Sequence, residues 1–278
     1  MIYEKKDNFS NYISFLKLKT HKYIISDDLW YDVRPFIFQP VRILSPISND
    51  LLKFYGVKNK VFALRWFELN QKTTSPIYWW VASGPYNFSS LSKKARNQTR
   101  RGLENFRIEK TKPERNHEPI FKEIYFENLD RLNLIKSNKK KEKLWAAWWQ
   151  IILNFDGSHI WSAWYENELA AYLVVIYFGE MAEIVLHRSK SNLLPYYPNN
   201  ALLFTVVIDL IAYGYTCISY GLENYWPQKG KNLSHFKENM GFTKIILDEH
   251  YYINPKISWL INESKFKKIL KIIRNLKK

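Results

Sequence analysis

The first hundred residues are patterned as strands. Residues 31–44 are kept out of any helix by Pro35 and Pro40, residues 61–69 form a second extended stretch, and residues 77–81 lie between Pro76 and the turn Ser83-Gly84-Pro85. The pattern then becomes helical. Ser92 can cap a helix through Arg101 whose Lys93, Arg96 and Arg100 share one face, with Lys94 and Arg101 alongside and Gly102 weakening its end. After a polar stretch at 108–118 that contains Pro113, Phe121, Ile124, Tyr125 and Leu129 recur at helical spacing within 120–134. A charged turn leads to a second helix at 144–155. At Asp156-Gly157 the period falls to two. Segments 159–165, 168–178 and 181–188, joined by the polar turns Glu166-Asn167 and Gly179-Glu180, predict an antiparallel meander.

An aromatic loop at 193–198 follows, then a helix from Asn200. Its Leu202, Leu203, Val206, Val207, Leu210 and Ile211 form one apolar stripe opposite Thr205 and Asp209, and Gly214 stops it. A strand at 216–220, a short helix at 233–240 ending in Gly241-Phe242 and a strand at 243–252 complete the order β-β-β-α-β-α-β. With 278 residues, 46% of them hydrophobic, the chain can bury one large core or two modest ones. The composition break near 108–118 divides it into 1–115, strand-rich and closing in the basic helix, and 116–278, which holds the meander.

No apolar run reaches the roughly 20 residues of a membrane span, because Gly179-Glu180 and Asp209 interrupt the two strongest. The opening residues carry no apolar core of a secretory signal. The single cysteine, Cys217, excludes an internal disulfide and a cysteine-rich zinc site and reads as a small buried apolar residue, so a cytoplasmic protein is expected. A net charge of +16 favours a polyanionic partner, although a lysine-rich composition spread over solvated faces would give the same total. The tail at 264–278 places Phe266, Ile269, Leu270, Ile273 and Leu276 on one stripe among lysines, suited to an anionic membrane surface or to docking on the core. The chain has no Gly-x-Ser-x-Gly elbow, Walker loop, dinucleotide fingerprint or His-Glu-x-x-His spacing. Neither a metal nor a tightly bound cofactor is expected.

Four features together resemble a known family. They are the basic helix at 92–101, the loop Tyr196-Tyr197-Pro198-Asn199-Asn200 entering a helix, Ser219-Tyr220-Gly221, and Phe236-Lys237-Glu238-Asn239-Met240-Gly241-Phe242. The second half resembles the GNAT acyltransferase fold, and the whole chain resembles its FemABX-like branch. The resemblance implies an α/β (α+β) protein with a mixed, mostly antiparallel sheet flanked by helices, arranged as two tandem GNAT-like domains, the first degenerate. In acetyl-CoA-dependent enzymes of this fold, glycines in the loop before the long helix let backbone amides wrap the pyrophosphate. Residues 188–201 contain no glycine. FemABX-like enzymes use aminoacyl-tRNA, a donor that also suits the charge. What the resemblance implies is therefore an N-acyltransferase forming an amide on an amine-bearing small molecule, peptide or cell-wall precursor, with aminoacyl-tRNA as co-substrate. An acyl-CoA donor is the alternative, and a non-catalytic module binding nucleic acid or anionic membrane is a third reading.

Amide formation needs two aligned substrates, loss of an amine proton and a donor for the developing oxyanion. Candidates lie in the strand ends and loops of 186–242. His187 or Glu223 can accept a proton. Tyr197, Asn200 or Tyr220 can donate to the oxyanion, and Arg188 or Lys237 can meet a phosphate or carboxylate, with Tyr196 and Asn199 lining the substrate. Lys93, Lys94, Arg96, Arg100 and Arg101 can hold tRNA phosphates while Trp79, Trp80 and Tyr86 stack on bases. Each has a plainer role: Asn199 or Asn200 as a helix cap, Tyr196 and Tyr197 as a roof over the core, Glu223 paired with a lysine, Lys237 and the basic helix as solvated surface.

Overall fold

Most strands and helices form where the apolar period places them, but Arg107–Thr111 is a strand the pattern did not show, and the helix expected at 144–155 begins at Asn138, inside the stretch read as a charged turn. A computed structural model describes residues 10–18, 23–25, 29–34, 37–45, 61–70, 76–155, 158–223, 230–258, 262 and 265–266. The chain divides into two compact units, Met1–Lys19 with Tyr78–Ile245 and Thr20–Ile77 with Ile246–Lys278. This division does not follow the expected boundary at 115.

In the first unit, helix α1 (Ser10–Leu18) packs Phe15 against Phe155, with ring centroids 5.9 Å apart. Strand β5 (Ile77–Ala82) is followed by the basic helix α2 (Lys93–Asn105), capped as expected by Ser92, whose hydroxyl accepts from the Ala95 amide at 3.2 Å. Strand β6 (Arg107–Thr111) occupies the stretch read as an interdomain linker; it pairs with β7 (Ser158–Tyr165), and Pro113 lies beyond its end. Its five polar-rich residues sit at a sheet edge, where no apolar alternation is required, so the sequence pattern hid it. Helices α3 (Glu118–Arg131) and α4 (Asn138–Asn154) precede β7. Then come β8 (Glu168–Phe178), β9 (Met181–Ser189), α5 (Pro198–Ala212), β10 (Cys217–Leu222) and α6 (Gly230–Asn239). The sheet order is β5-β10-β9-β8-β7-β6, antiparallel throughout except for β9 with β10. Positive φ at Glu166 and Gly179 closes the two hairpins of the meander.

The sheet carries a core on each face. On one, α2 and α5 cover Trp161, Ala163, Ala171, Leu173, Val175, Ala182, Ile184 and Ile218; on the other, α3 and α4 cover Ile160, Tyr172, Val174 and Leu186. The face that β9 presents changes partway along it. Val175 pairs with Ile184 and Val174 with Leu186, leaving Val185 as an extra residue. This bulge inverts the alternation, so His187, opposite Leu173, turns to the α2/α5 face and Arg188, opposite Tyr172, turns to the α3/α4 face.

Helix α2 lies close on α5 because its inner stripe is Ala95, Thr99 and Gly102. A Cβ at Gly102 would stand 2.6 Å from the Tyr197 carbonyl oxygen and 3.0 Å from the Ala201 Cβ, so only glycine admits this approach. The N-terminal end of α2 is tied to the end of α6 by the Ser92 amide donating to the Asn239 carbonyl at 2.9 Å. Helix α5 begins one residue before the expected caps. Pro198 opens it and Tyr197 stands at the cap position in the left-handed region (φ 67°, ψ 42°), so Asn199 and Asn200 lie inside the first turn and cap nothing.

The second unit holds β1 (Tyr23–Ile25), β2 (Leu29–Arg34), β3 (Ile37–Pro40), β4 (Ala63–Leu69), the part of β11 (Thr243–Ile253) from Ile246 on and the short α7 (Pro255–Ser258). Their order is β1-β2-β3-β4-β11, with only β3 and β4 parallel. Buried Arg65 is met by Glu249 at 2.6 Å and by Gln39 at 3.1 Å. Of the tail at 264–278 only Lys265 and Phe266 fall among the described residues; Phe266 is buried against Phe62 and Tyr251.

Candidate active site

The parallel strands β9 and β10 pair over three residues, Met181 with Cys217, Ala182 with Ile218 and Glu183 with Ser219, and no pairing continues beyond. Both strands are irregular at that point. β9 bulges at Val185, and β10 shifts register against β5 between Ser219 and Leu222, where Gly221 takes φ +76°. The strands part, and the side chains that follow, His187 and Tyr220, meet across the gap.

His187 Nδ1 and the Tyr220 hydroxyl oxygen are 2.7 Å apart. Burial, and then the Arg188 charge, push the imidazole down to about 3, so it is neutral at any ordinary pH; an Asn199 contact opposes this. Asn199 Nδ2 donates to Ser189 Oγ at 3.1 Å, which turns its Oδ1 toward the ring. That oxygen and His187 Nε2 are both buried without a hydrogen-bond partner of normal geometry. The neutral tautomer this selects carries its proton on Nε2, facing Asn199, and accepts the Tyr220 O–H at Nδ1. His187 is thus no proton acceptor of useful strength, and Tyr220, expected to donate to an oxyanion, spends its hydrogen on His187 and leaves an oxygen lone pair available. Burial pushes the Tyr220 phenol well above its usual range.

Lys237 on α6 completes the group. It is buried at 5% exposure, donates to the Tyr220 carbonyl at 2.8 Å, and holds its ammonium 4.7 Å from the Tyr220 ring and 5.9 Å from the Trp80 ring. Desolvation lowers its pKa to about 8, partly offset by the Glu223 charge. Glu223 is itself held by Trp80 Nε1 at 3.2 Å and by the Ser234 hydroxyl. His187, Tyr220, Glu223 and Lys237 are therefore one cluster, with Phe236 packed 6.2 Å from the imidazole.

The other expected site residues are placed apart from it. Arg188 points to the opposite face of the sheet, over Tyr125 at 5.4 Å. Asn200 is buried and donates to Met240 Sδ at 3.4 Å. Tyr196 is 44% exposed and stacks on Tyr165, and Tyr197 lies under Arg101 at 5.2 Å. Lys93, Lys94, Arg100 and Arg101 are exposed on α2 and Arg96 is half-buried. Trp79, Trp80 and Tyr86 cannot stack on bases as expected. All three are buried, with Trp79 bonded to Ser219 at 2.8 Å and Tyr86 to the Met240 carbonyl at 2.6 Å. Ser234 joined the cluster without being singled out, and Trp80, expected to stack on bases, instead bonds Glu223. Trp80's adjacency to Pro76 and the Ser83-Gly84-Pro85 turn marks a strand but says nothing of Glu223, and no spacing rule links Ser234 to it.

The loop before α5 uses its own amides. Leu194 N–H donates to Ser191, Tyr196 to Leu193, Tyr197 to Leu194 and Ala201 to Tyr197, while Pro195 and Pro198 have none to offer. The loop thus offers few free amides to a pyrophosphate, and those of Asn199 and Asn200, in the first turn of α5, have no acceptor within the helix. Cys217 is buried, and burial raises its thiol to about 12. Among the described residues no cluster of His, Cys, Asp and Glu is arranged to hold a metal, and no helix is long and apolar enough to cross a membrane.

No protein-family model and no curated protein sequence matches the chain. The likeness is one of structure. FemX superposes with a TM-score of 0.65 at 12% identity, over 91% of this chain and 93% of that one. L-PGS from Bacillus licheniformis gives 0.57 at 12% identity, over 99% and 98%. The C-terminal domain of an Agrobacterium fabrum protein assigned as a lysylphosphatidylglycerol synthetase gives 0.53 at 10% identity, over 86% of each. The chain thus adopts the FemABX-like, GNAT-related fold.

Proposed function

We propose that the protein is an N-acyltransferase that forms an amide on an amine-bearing acceptor, with aminoacyl-tRNA as donor. One observation carries the choice of donor. Helix α2, with its five cations, packs directly on the loop and first turn of α5, where Pro195 and Pro198 and the internal bonds of Leu194, Tyr196, Tyr197 and Ala201 leave few amides free. A polyanion beside the β9–β10 gap would be held by side-chain charge and not by a backbone cradle. The fold shared with FemX supports the reaction class.

In this reading the acyl ester enters the gap from the α2/α5 face. The Lys237 ammonium, with N–H bonds left after its one to the Tyr220 carbonyl, meets the carbonyl oxygen as negative charge develops there. The Tyr220 oxygen accepts an N–H of the attacking amine and aims its lone pair, held in place by His187 and, behind it, Asn199. The C–N bond forms, the ester C–O bond breaks, and the amine proton leaves with the departing alcohol or solvent. Glu223 offsets the Lys237 charge without pairing with it. The place of action is the cytoplasm, where charged tRNA is available.

The test is incubation with charged tRNAs and labelled amino acid. Transfer abolished by ribonuclease is expected. Transfer indifferent to ribonuclease and dependent on acyl-CoA would replace the donor, and no transfer with either would leave the reaction without support.

A further inference from the structure

Glu223 carries a charge that no side chain pairs with among the described residues. Its Oε2 accepts from Trp80 Nε1 at 3.2 Å and its Oε1 from the Ser234 hydroxyl, and both of these are neutral groups. Each oxygen keeps a lone pair after that one bond. The residue is half-buried, so it is neither sealed in the core nor left to bulk solvent. Carboxylates elsewhere do meet buried cations, Glu249 at Arg65 and Glu168 at Lys190, which leaves Glu223 as the one in the cluster still able to receive a cation from outside.

Its place beside Lys237 says which cation. The Lys237 ammonium lies 5.9 Å from the ring centroid of the same indole whose N–H holds Glu223, and the Glu223 charge reaches it without contact. A carboxylate and an ammonium therefore stand side by side on Trp80, the one held by neutral hydrogen-bond donors and the other by the Tyr220 carbonyl. An α-amino acyl ester carries the complementary pair: a carbonyl oxygen that becomes negative as the amine attacks and, two bonds from the carbonyl carbon, an ammonium. Bringing that ammonium up beside Lys237 sets two positive charges together, and an anion at their side offsets the repulsion. A plain acyl chain has no such group, and would only strip water from the carboxylate without replacing it.

We infer that Glu223 selects the acyl donor: it binds the α-ammonium of an aminoacyl ester while Lys237 meets the ester carbonyl, so acyl groups with a free α-amine are preferred over those without one. The inference rests on the acyltransferase reading for the ester, but the ammonium contact can be measured without turnover.

The probes are two RNA hairpins ending in CCA, whose terminal adenosine carries alanine or lactate through a non-hydrolysable amide. Lactate differs from alanine only by a hydroxyl in place of the ammonium. Binding to the full-length protein is followed by competition filter binding at one salt concentration, with the bare hairpin as reference, and transfer is scored separately in the ribonuclease assay. The wild type should bind the alanyl RNA about tenfold or more tighter than the lactyl RNA. Glu223→Gln, which keeps an acceptor for Trp80, should bring the two within about twofold by weakening the alanyl RNA alone. Glu223→Asp should restore part of the preference, and the bare hairpin should bind all three proteins alike. Equal binding of the two RNAs by the wild type, or a preference that survives in Glu223→Gln, overturns the inference. So does an equal loss for both RNAs in that variant, because Glu223 would then serve only to offset Lys237. Failure of either RNA to bind overturns it together with the RNA donor. Equal binding accompanied by ribonuclease-sensitive transfer removes this contact and keeps the acyltransferase reading, whereas an alanyl preference without any transfer keeps the ammonium site and removes that reading.

Discussion

His187 provides a measurable consequence of the cluster's burial. Its imidazole is held at about 3, against 6.5 when exposed, by desolvation first and the Arg188 charge second. The folded state therefore does not take up a proton there until the pH nears 3, whereas the unfolded chain takes one up below 6.5. Since the unfolded state binds more protons across that window, stability falls as the pH drops from 6.5 toward 3. At pH 5 the unfolded chain gains about 2 kcal/mol from this one group, from RT times the logarithm of its protonation ratio; at pH 7 the gain is about 0.2 kcal/mol. His187→Asn keeps an acceptor for the Tyr220 hydroxyl and removes the titration. Urea unfolding of both proteins at pH 7 and pH 5 should thus show the variant losing about 2 kcal/mol less than the wild type between the two conditions, with similar m-values. A difference that does not change with pH would mean the imidazole titrates freely in the folded protein, and the neutral Nε2 tautomer and the orientation of Tyr220 would fall with it.

Three further outcomes are expected. In the wild type kcat should decline as the pH rises through about 8, where the Lys237 ammonium is lost, and Lys237→Met should lower kcat by roughly 100-fold and abolish that limb; a pH–rate profile unchanged in the variant removes Lys237 from the reaction. Replacing Arg96, Arg100 and Arg101 together by Ala should weaken tRNA binding and reduce the slope of log affinity against log salt by about 2 to 3, read by filter binding at several salt concentrations. Gly102→Ala should destabilise by roughly 1–3 kcal/mol in urea unfolding, because its Cβ meets backbone at Tyr197, although alanine in an open helix would gain up to about 1 kcal/mol; a more stable variant would mean that α2 does not lie against that loop.

Much of the first unit was legible because its signals are local. Ser92 sits three residues before the amide it caps, the α5 stripe repeats at helical spacing, and the meander alternates between two marked turns. What escaped the sequence is set by distant partners. Strand β6 is a strand only because β7 supplies its hydrogen bonds, and the Pro113 that seemed to mark a boundary merely follows it. Gly102 looked like a weak helix end, and its reason is the Tyr197 carbonyl, 95 positions later. Trp80 reads as a ring to stack on bases until Glu223 and Lys237 are seen around it. The cluster His187, Tyr220, Glu223 and Lys237 was found because strand ends and the following loops collect polar side chains. Their roles were not, since those depend on which hydrogen bond each one has already made.

Alternation alone puts His187 and Arg188 on opposite faces of β9, and the Val185 bulge decides which of them faces Tyr220. In a regular strand alternation alone fixes the faces: continuing from Ile184 on the α2/α5 side, Leu186 and Arg188 would follow it there and His187 would face α3. That arrangement would bury a guanidinium beside Lys237 and send Leu186 away from Val174. One inserted residue removes both conflicts: Leu186 reaches the α3/α4 core, His187 reaches Tyr220, and the two cations stand on opposite sides of the gap. The bulge thereby keeps the Arg188 guanidinium from standing beside Lys237, so that in the proposed reaction the Lys237 ammonium faces the acyl carbonyl without a second cationic side chain next to it.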